Sequence, residues 1–320
     1  MAKYVIKRLL LMIFTLFVIV TICFMLIRML PRELPTDKNL QAVLNARFEA
    51  LGYNEPILVQ FWIYLKNIIT KWDFGTSWYI AYRKPAWDVL MERLPPTILV
   101  NLYSFAVSIP FGILFGVFSA LRKNRWQDHF ISTAVMVFVS VPAYVYGFLT
   151  QYFLYFKTGW FPLTVSSLAD AGGSWVSWTM FYSMIPAVFA LSFSQIAGLC
   201  RFTRAELIET LTSDYMLLAR AKGLTNAQAT VRHALKNAMV PILPMILGTF
   251  VSILSGSLII EKIFSIPGVG QLYLTSINLL DYDIFMLDTF FYTFTGLLAG
   301  IVIDLSYGFI DPRIRMGQKK

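Results

Sequence analysis

Two carboxylates, Asp288 and Asp304, stand inside otherwise uncharged apolar stretches of this 320-residue chain. An acid within a membrane-spanning segment is energetically unfavourable and commonly takes part in ion or proton movement. Asp304 lies only about two helical turns before Asp311, so we expect it to pair with a basic group at the end of its span. Asp288 lies near the other end of the same stretch, close to Asp281 and Asp283, and we expect water to reach it. An ion-coupled secondary transporter therefore stays open as an alternative function.

The rest of the chain offers no catalytic motif. Neither Gly-x-Ser-x-Gly nor His-Glu-x-x-His occurs, which argues against an intramembrane hydrolase. The two histidines cannot form a metal cluster, and Cys23 and Cys200 are placed near opposite membrane faces, too far apart for a disulfide. No Gly-x4-Gly-Lys-[Ser/Thr] motif for nucleotide binding is present. We expect no catalytic residue, no metal site and no cofactor in this chain.

The distribution of charge identifies the elements that carry these residues. Apolar residues make up 57% of the chain and charged residues 14%, whereas a typical soluble domain has about 25% charged residues. Six stretches carry almost no charge, and each has the length of roughly 17–25 residues that one helix needs to cross a membrane. They are 9–27, 97–121, 130–156, 179–200, 239–260 and 285–310. The sequence predicts an all-α polytopic membrane protein with six transmembrane helices, which excludes a soluble enzyme or a nucleic-acid-binding protein.

Basic residues predict the orientation of these helices. If the N-terminus is cytoplasmic, the inside segments hold 16 Lys or Arg in 64 residues, and the two short outside loops, 157–178 and 261–284, hold 2 in 46. Such an excess marks cytoplasmic loops, so we expect both termini in the cytoplasm. We divide the chain into an anchor helix (1–30), an extracytoplasmic cap (31–94), a transmembrane core (95–310) and a cytoplasmic tail (311–320).

The cap is patterned as two amphipathic helices rather than as a solvated linker. Apolar residues recur at helical spacing before Gly52, which suits a C-terminal cap. They recur again after Pro56, which suits the first turn of a helix. The first face contains Leu40, Val43, Leu44, Phe48 and Leu51, and the second contains Ile57, Phe61, Leu65 and Ile68.

Helix signals also divide the cytoplasmic segment 201–238. Ser213 can cap a short helix that runs to Lys222, and Gly223 can end that helix in the left-handed conformation. Thr225-Asn-Ala-Gln228 has the spacing of a capping box and starts another helix toward the fifth span. The pattern predicts a short helix that projects from the membrane and can dock a soluble partner.

Prolines and glycines within the spans leave two interpretations open. They can act as hinges along a pathway, or they can allow close helix packing, since small residues are frequent at such contacts. The residues concerned are Pro110, Pro142, Pro186, Gly112, Gly116, Gly147 and Gly198. An aromatic group at the outer end of the third span, which includes Tyr144 and Tyr146, is expected to form an interfacial belt. Pro142 and Tyr144 are candidates for lining a pathway.

Several motifs, in order along the chain, resemble one known family. The cytoplasmic loop reads Asp214-Tyr-Met-Leu-Leu-Ala-Arg-Ala-Lys-Gly-Leu224, then Arg232-His-Ala-Leu-Lys-Asn-Ala238 and Val240-Pro241. The other matching stretches are Leu51-Gly52, Glu55-Pro56, Asp73-Phe-Gly-Thr-Ser77, Arg93-Leu-Pro-Pro-Thr97, Glu261-Lys-Ile-Phe-Ser-Ile-Pro-Gly-Val-Gly270 and Asp311-Pro-Arg-Ile-Arg315. Together they resemble the B-type permeases of the dipeptide, oligopeptide and nickel subfamily of ABC importers. Two stretches depart from the family pattern: Leu217-Leu-Ala219 stands where the loop motif begins Glu-Ala-Ala, and Pro31-Arg-Glu-Leu-Pro35 replaces Pro-Gly-Asp-Pro.

The resemblance implies a type I ABC importer transmembrane fold and a permease subunit, not an enzyme. Its partners would be a homologous C-type permease, an extracytoplasmic binding protein and two ATPases that hold ATP and Mg²⁺, in a bacterial or archaeal cytoplasmic membrane. The ATPases would dock on the short cytoplasmic helix, through Asp214, Leu217, Leu218, Ala219, Arg220, Lys222 and Gly223. The cargo would be di- or oligopeptides, with nickel or a metal chelate as the alternative. The lack of a His, Cys or Met cluster favours peptides.

Overall fold

The computed structural model describes residues 2–30, 41–43, 45–46, 49 and 54–310, and most of these are helical. Helix α1 spans Ala2–Arg28 and α2 spans Ile57–Lys71. A small antiparallel hairpin follows, with β1 at Thr76–Ser77 and β2 at Lys84–Pro85. The remaining helices are α3 (Ala86–Leu121), α4 (Trp126–Ser140), α5 (Ala143–Gln151), α6 (Trp178–Leu211), α7 (Asp214–Ala221), α8 (Asn226–Ala229), α9 (Lys236–Ser252), α10 (Leu258–Ile263), α11 (Val269–Asn278) and α12 (Tyr282–Ile310).

Three short segments of π- or 3₁₀-helix extend or join these helices. A π-helical segment, Tyr152–Lys157, continues α5, and a second, Thr230–Leu235, joins α8 to α9. A 3₁₀ turn, Ile253–Ser255, follows α9. Helices α8 and α9 therefore form one continuous apolar span.

Five unbroken helices in the described part of the chain are long and apolar enough to cross a membrane: α1, α3, α6, the joined α8–α9 and α12. The remaining predicted span is the third along the chain, 130–156. It consists of α4 and α5 with its continuation, which meet at an angle of 98°. The two helices together can make up the predicted span, with a sharp bend between them. Val141 has an extended backbone (φ −87°, ψ 126°) directly before Pro142, because proline disfavours the helical conformation of the residue that precedes it.

Close packing of α3 along α6 forms the centre of the bundle. A Cβ atom at Gly112 would lie 2.8 Å from Leu199 Cβ, and one at Gly116 would lie 2.6 Å from Thr203 Cβ. The packing interpretation of these glycines is therefore confirmed, since only hydrogen leaves room for the facing helix. Gly198 differs, because a Cβ atom there would meet nothing within 4 Å.

The second helix of the cap is confirmed as α2. It begins directly after Pro56 and buries Phe61 against Val20 and Phe24 of α1. The first cap helix predicted around Leu40–Leu51 lies mostly outside the described residues. The expected aromatic belt is wrong for Tyr146, which is 5% exposed and packs between the rings of Phe138 and Phe193, whereas Tyr144 is exposed.

Candidate functional site

The helix α7 stands on a base of buried small residues. Met216 and Ala219 point inward and are 1% and 5% exposed, and they pack against Leu207 of α6 and several alanines. Leu217 and Leu218 point outward and are 62% and 56% exposed. The expectation that Ala219 belongs to the contact surface is therefore wrong, since the helical period turns it toward the base. The two leucines remain as an apolar surface.

Both ends of α7 are set by local backbone chemistry. Gly223 has φ +88°; its N–H donates to the Arg220 carbonyl at 2.9 Å, and the Leu224 N–H donates to the Ala219 carbonyl at 3.3 Å. This pair of bonds is the Schellman arrangement that ends a helix through a left-handed residue. Ser213 occupies the predicted N-cap position, but its hydroxyl donates back to the Thr210 carbonyl at 2.6 Å instead of capping α7.

The predicted capping box at the start of α8 is confirmed. The Gln228 N–H donates to Thr225 Oγ1 at 3.3 Å, and the Thr225 N–H donates to Gln228 Oε1 at 3.1 Å. The chain then runs through the π-helical segment into α9. Only Lys222, Gly223 and Leu224 therefore separate the end of α7 from this cap, and the left-handed Gly223 keeps the short helix from extending into the next span.

An ion pair next to this region fixes α4 to α6, and no sequence pattern predicted it. Arg204 Nε lies 2.6 Å from Asp128 Oδ1, and Arg204 Nη2 lies 2.7 Å from Asp128 Oδ2. Ser119 of α3 and the Asn124 N–H also donate to the same carboxylate, which is 1% exposed. A bidentate and fully hydrogen-bonded pair is among the stronger polar contacts. Asp128 is the only acid in the basic segment 122–129, which is the one sequence feature that hints at this pair.

A wide, open cavity of about 1210 Å³ lies beside α7, between the ends of α6 and α9. Its walls carry charges of both signs, from Glu206, Glu209 and Lys236, and it also touches Tyr215 of α7. Together with Leu217 and Leu218, this region offers a mixed apolar and charged surface of the kind that a soluble protein contacts.

The opposite end of the bundle contains a buried carboxylate, Glu261. Thr97 Oγ1 donates to Glu261 Oε1 at 2.9 Å and accepts the Val269 N–H at 2.9 Å, and the Gln271 N–H donates to Glu261 Oε2 at 3.0 Å. Burial raises the pKa of Glu261 to about 7, although these hydrogen bonds favour the charged form. The contacts tie Thr97 of α3 to α10 and to the first turn of α11. Glu261 and Thr97 belong to the quoted family motifs, but no role was predicted for either.

A second carboxylate at this end, Asp281, organises the hairpin. It accepts bonds from Ser77 Oγ at 2.7 Å and from the N–H groups of Trp78, Tyr79 and Ile80 at 3.1–3.2 Å. One buried side chain thus fixes the turn between β1 and β2 to the start of α12, which gives the Asp73-Phe-Gly-Thr-Ser77 motif a structural explanation.

The two intramembrane acids differ from each other. Asp304 pairs with Arg8 of α1, Oδ2 to Nη1 at 3.0 Å, so the predicted pairing with a basic group is confirmed. Asp288 is 0% exposed, and neither of its carboxylate oxygens has a hydrogen-bond partner among the described residues. The expectation that water reaches Asp288 is therefore wrong.

The remaining candidates are placed, but their roles stay predictions. Pro142 lies at the bend between α4 and α5, and Tyr144 is 41% exposed just after it. Within the described ranges, no three His, Cys, Asp or Glu residues are grouped as metal ligands. The described residues therefore offer a contact surface on α7 and buried carboxylates that hold elements together.

These features define a polytopic helical membrane protein with a projecting helix at one end of its bundle. Residues 112–316 match the family described as binding-protein-dependent transport system inner membrane component, and residues 1–101 match the N-terminal part described for such membrane components. The chain belongs to this family.

Curated relatives match over nearly their full length. The dipeptide transport system permease protein DppB of Lactococcus lactis subsp. cremoris (strain MG1363) is 35% identical over 99% of this chain and 100% of that protein. The glutathione transport system permease protein GsiC of Escherichia coli (strain K12) is 33% identical over 98% of this chain and 99% of that protein. A solved amino acid ABC transporter with histidines has a TM-score of 0.49 and 19% identity, over 69% of this chain and 94% of that chain. The family match and the two permease relatives show that the chain is a multi-pass ABC importer permease subunit of the B type, and not an enzyme.

Proposed function

We propose that this chain is a permease subunit of an ATP-driven importer of di- and oligopeptides in a bacterial or archaeal cytoplasmic membrane. It forms the translocation pathway with a homologous C-type permease. Two separate ATPase subunits bind ATP and Mg²⁺, and an extracytoplasmic binding protein delivers the peptide. The similarity to permeases named for dipeptide and glutathione transport supports a peptide cargo, because glutathione is itself a tripeptide. The Arg8–Asp304 pair removes one candidate for ion coupling.

The observation that carries the proposal is the construction of α7. Its exposed leucines form a contact surface, while Met216 and Ala219 fix it to α6. An ATPase that pulls on Leu217 and Leu218 therefore also moves α6, and the Asp128–Arg204 pair passes that movement to α4. We assign α7, with Asp214, Arg220 and Lys222 at its exposed ends, as the coupling helix.

The test uses Gly223→Val in the complete importer reconstituted in liposomes. Gly223 needs a positive φ, a backbone state that β-branched residues rarely adopt. We expect the complex to reach the membrane but to lose peptide uptake and peptide-stimulated ATP hydrolysis. The matched control is Gly172→Val, because Gly172 also has a positive φ (+71°) and open space around it but lies in the loop before α6. Normal uptake by Gly223→Val, with the ATPases still copurifying, would show that α7 only connects two spans.

A second pair of variants tests the surface itself. Leu217→Glu and Leu218→Glu place a charge where an apolar partner side chain would sit, and burial of a leucine contributes about 1.5–3 kcal/mol. We expect both variants to lose the ATPase subunits on purification. Retention of the ATPases at the level of the unsubstituted complex would place the docking surface elsewhere.

A further inference from the structure

A cavity of about 320 Å³ lies between α3, α6 and α9, apart from the open cavity beside α7. Its size is at the lower end of the range of about 300–1,000 Å³ that is typical of small-molecule sites. Most of its wall is apolar, with contributions from Phe105, Leu199, Phe202 and Met245. Gly198 also lines it and contributes no side chain, which leaves the space open.

Two polar groups of α6 face this cavity without a partner in the described part of the chain. Gln195 Oε1 is buried and accepts no hydrogen bond. Arg201 is exposed and forms no ion pair or hydrogen bond with any described residue. No acidic side chain lines the cavity. An unpaired guanidinium beside an apolar wall attracts a carboxylate, which it can bind through two parallel hydrogen bonds.

The spacing of the two groups sets the length of a fitting ligand. Gln195 and Arg201 are six residues apart on one helix, which corresponds to about 9 Å along its axis. An extended peptide covers about 3.3–3.6 Å per residue. Two to three residues therefore reach from one group to the other.

We propose that this cavity is a binding subsite for a di- or tripeptide, with the terminal carboxylate on Arg201 and an N–H of the peptide on Gln195 Oε1. The apolar wall receives a side chain of the peptide. This inference rests on the proposed function, and it assigns this chain a direct part in recognising the cargo. A bound peptide would form one ion pair, with Arg201, and few other polar contacts. Such limited binding suits a ligand that must also leave the site.

The experiment measures ATP-dependent uptake of radiolabelled Ala-Phe and of its C-terminal amide by the complete importer in liposomes, together with binding of both probes to the detergent-purified complex without the binding protein. For the unsubstituted complex we expect tenfold or more preference for the free acid in the binding measurement. Arg201→Gln should reduce this ratio to near one, and Arg201→Lys should restore part of it. Gln195→Leu should weaken binding of both probes by a similar factor.

A steric variant tests the cavity without removing any polar group. Gly198→Leu fills the space and should abolish Ala-Phe binding, whereas Gly296→Leu on α12, where a Cβ atom also meets nothing within 4 Å, should leave binding and uptake unchanged. Copurification of all subunits shows that each variant assembles. If the unsubstituted complex imports Ala-Phe while Arg201→Gln and Gly198→Leu bind and import it equally well, the subsite is wrong and the proposed function stands. If the unsubstituted complex imports no peptide, the proposed function itself fails.

Discussion

Buried carboxylates in this molecule are stabilised in different ways. Asp128 and Asp281 each accept several hydrogen bonds, and Asp128 also has the guanidinium of Arg204. Glu261 accepts hydrogen bonds from two elements but forms no ion pair with any described residue. Asp288 has neither donors nor a cation among the described residues. A buried polar group without hydrogen bonds destabilises a fold, so Asp288 is the acid whose replacement should help.

We expect Asp288→Asn to raise the thermal stability of the purified importer. The change removes an ionisable buried group at nearly constant volume, and an unpaired buried charge is more costly than an unpaired neutral amide. Thermal unfolding in detergent gives the measurement. Asp304→Asn is the comparison, since it breaks the pair with Arg8 and should lower stability slightly. A lower melting temperature for Asp288→Asn would contradict the prediction.

Glu261 predicts a pH dependence of stability. Its pKa is raised to about 7 by burial, so the folded state binds this proton more tightly than the unfolded state does. The stabilising contribution is complete below the unfolded pKa of about 4.5 and is lost as pH rises through about 7. The loss is on the order of 3 kcal/mol, since each tenfold change in proton affinity is worth about 1.36 kcal/mol. Melting temperatures between pH 5 and pH 8 should fall, and Glu261→Gln should flatten that fall. An unchanged slope in Glu261→Gln would assign the effect to another group.

At the scale of elements, the contact between α3 and α6 depends on glycine. A Cβ atom at Gly116 would lie 2.8 Å from the backbone oxygen of Cys200, which cannot move without shifting α6. We expect Gly116→Ala to lower stability, because overpacking typically costs about 1–3 kcal/mol. Gly296→Ala, with open space around it, should be neutral or slightly stabilising, since alanine favours helix by about 1 kcal/mol. Equal melting temperatures for the two variants would show that the helices tolerate separation.

Local signals made some elements predictable. The glycine at the end of α7, the capping box at Thr225 and the start of α2 after Pro56 each depend on a few neighbouring residues, so the sequence predicted them. At the start of α7 the sequence predicted the position of Ser213 but not the hydrogen bond that its hydroxyl donates to the Thr210 carbonyl. The bend in the third span could not be predicted from local signals. Pro110 and Pro186 lie inside continuous helices, whereas Pro142 coincides with a break. The presence of proline marks a weak point in a helix, and the packing around it decides whether the helix bends.

Long-range polar contacts were the least predictable features. Asp128 and Arg204 are 76 residues apart, and Ser77 and Asp281 are 204 apart. No helical periodicity or capping signal links residues so far apart in the sequence. Their pairing is therefore determined only by the tertiary packing. The burial of Asp288 was missed for the same reason, since its sequence neighbours Asp281 and Asp283 suggested a wet helix end.

On the scale of the whole molecule, the segments predicted outside contact one another. The hairpin at Ser77 meets Asp281, and the Val165 N–H donates to the Phe264 carbonyl at 2.9 Å. The segments predicted inside gather around α7 and the Asp128–Arg204 pair. The alternation of apolar stretches therefore separates the two ends of the bundle, and the basic residues assign the α7 end to the cytoplasm.

This orientation gives the final prediction. In a variant without native cysteines, Asn45→Cys should react with a membrane-impermeant thiol reagent on intact cells, because the segment 31–94 is predicted to be extracytoplasmic. Asn226→Cys, exposed at the start of α8, should react only after the membrane is permeabilised. The predicted orientation depends on the excess of basic residues in the short segments on the α7 side. Long segments such as 31–94 give no information on it, because they cross the membrane largely regardless of their charge. Labelling of Asn226→Cys on intact cells would reverse the orientation and place α7 where no ATPase could reach it.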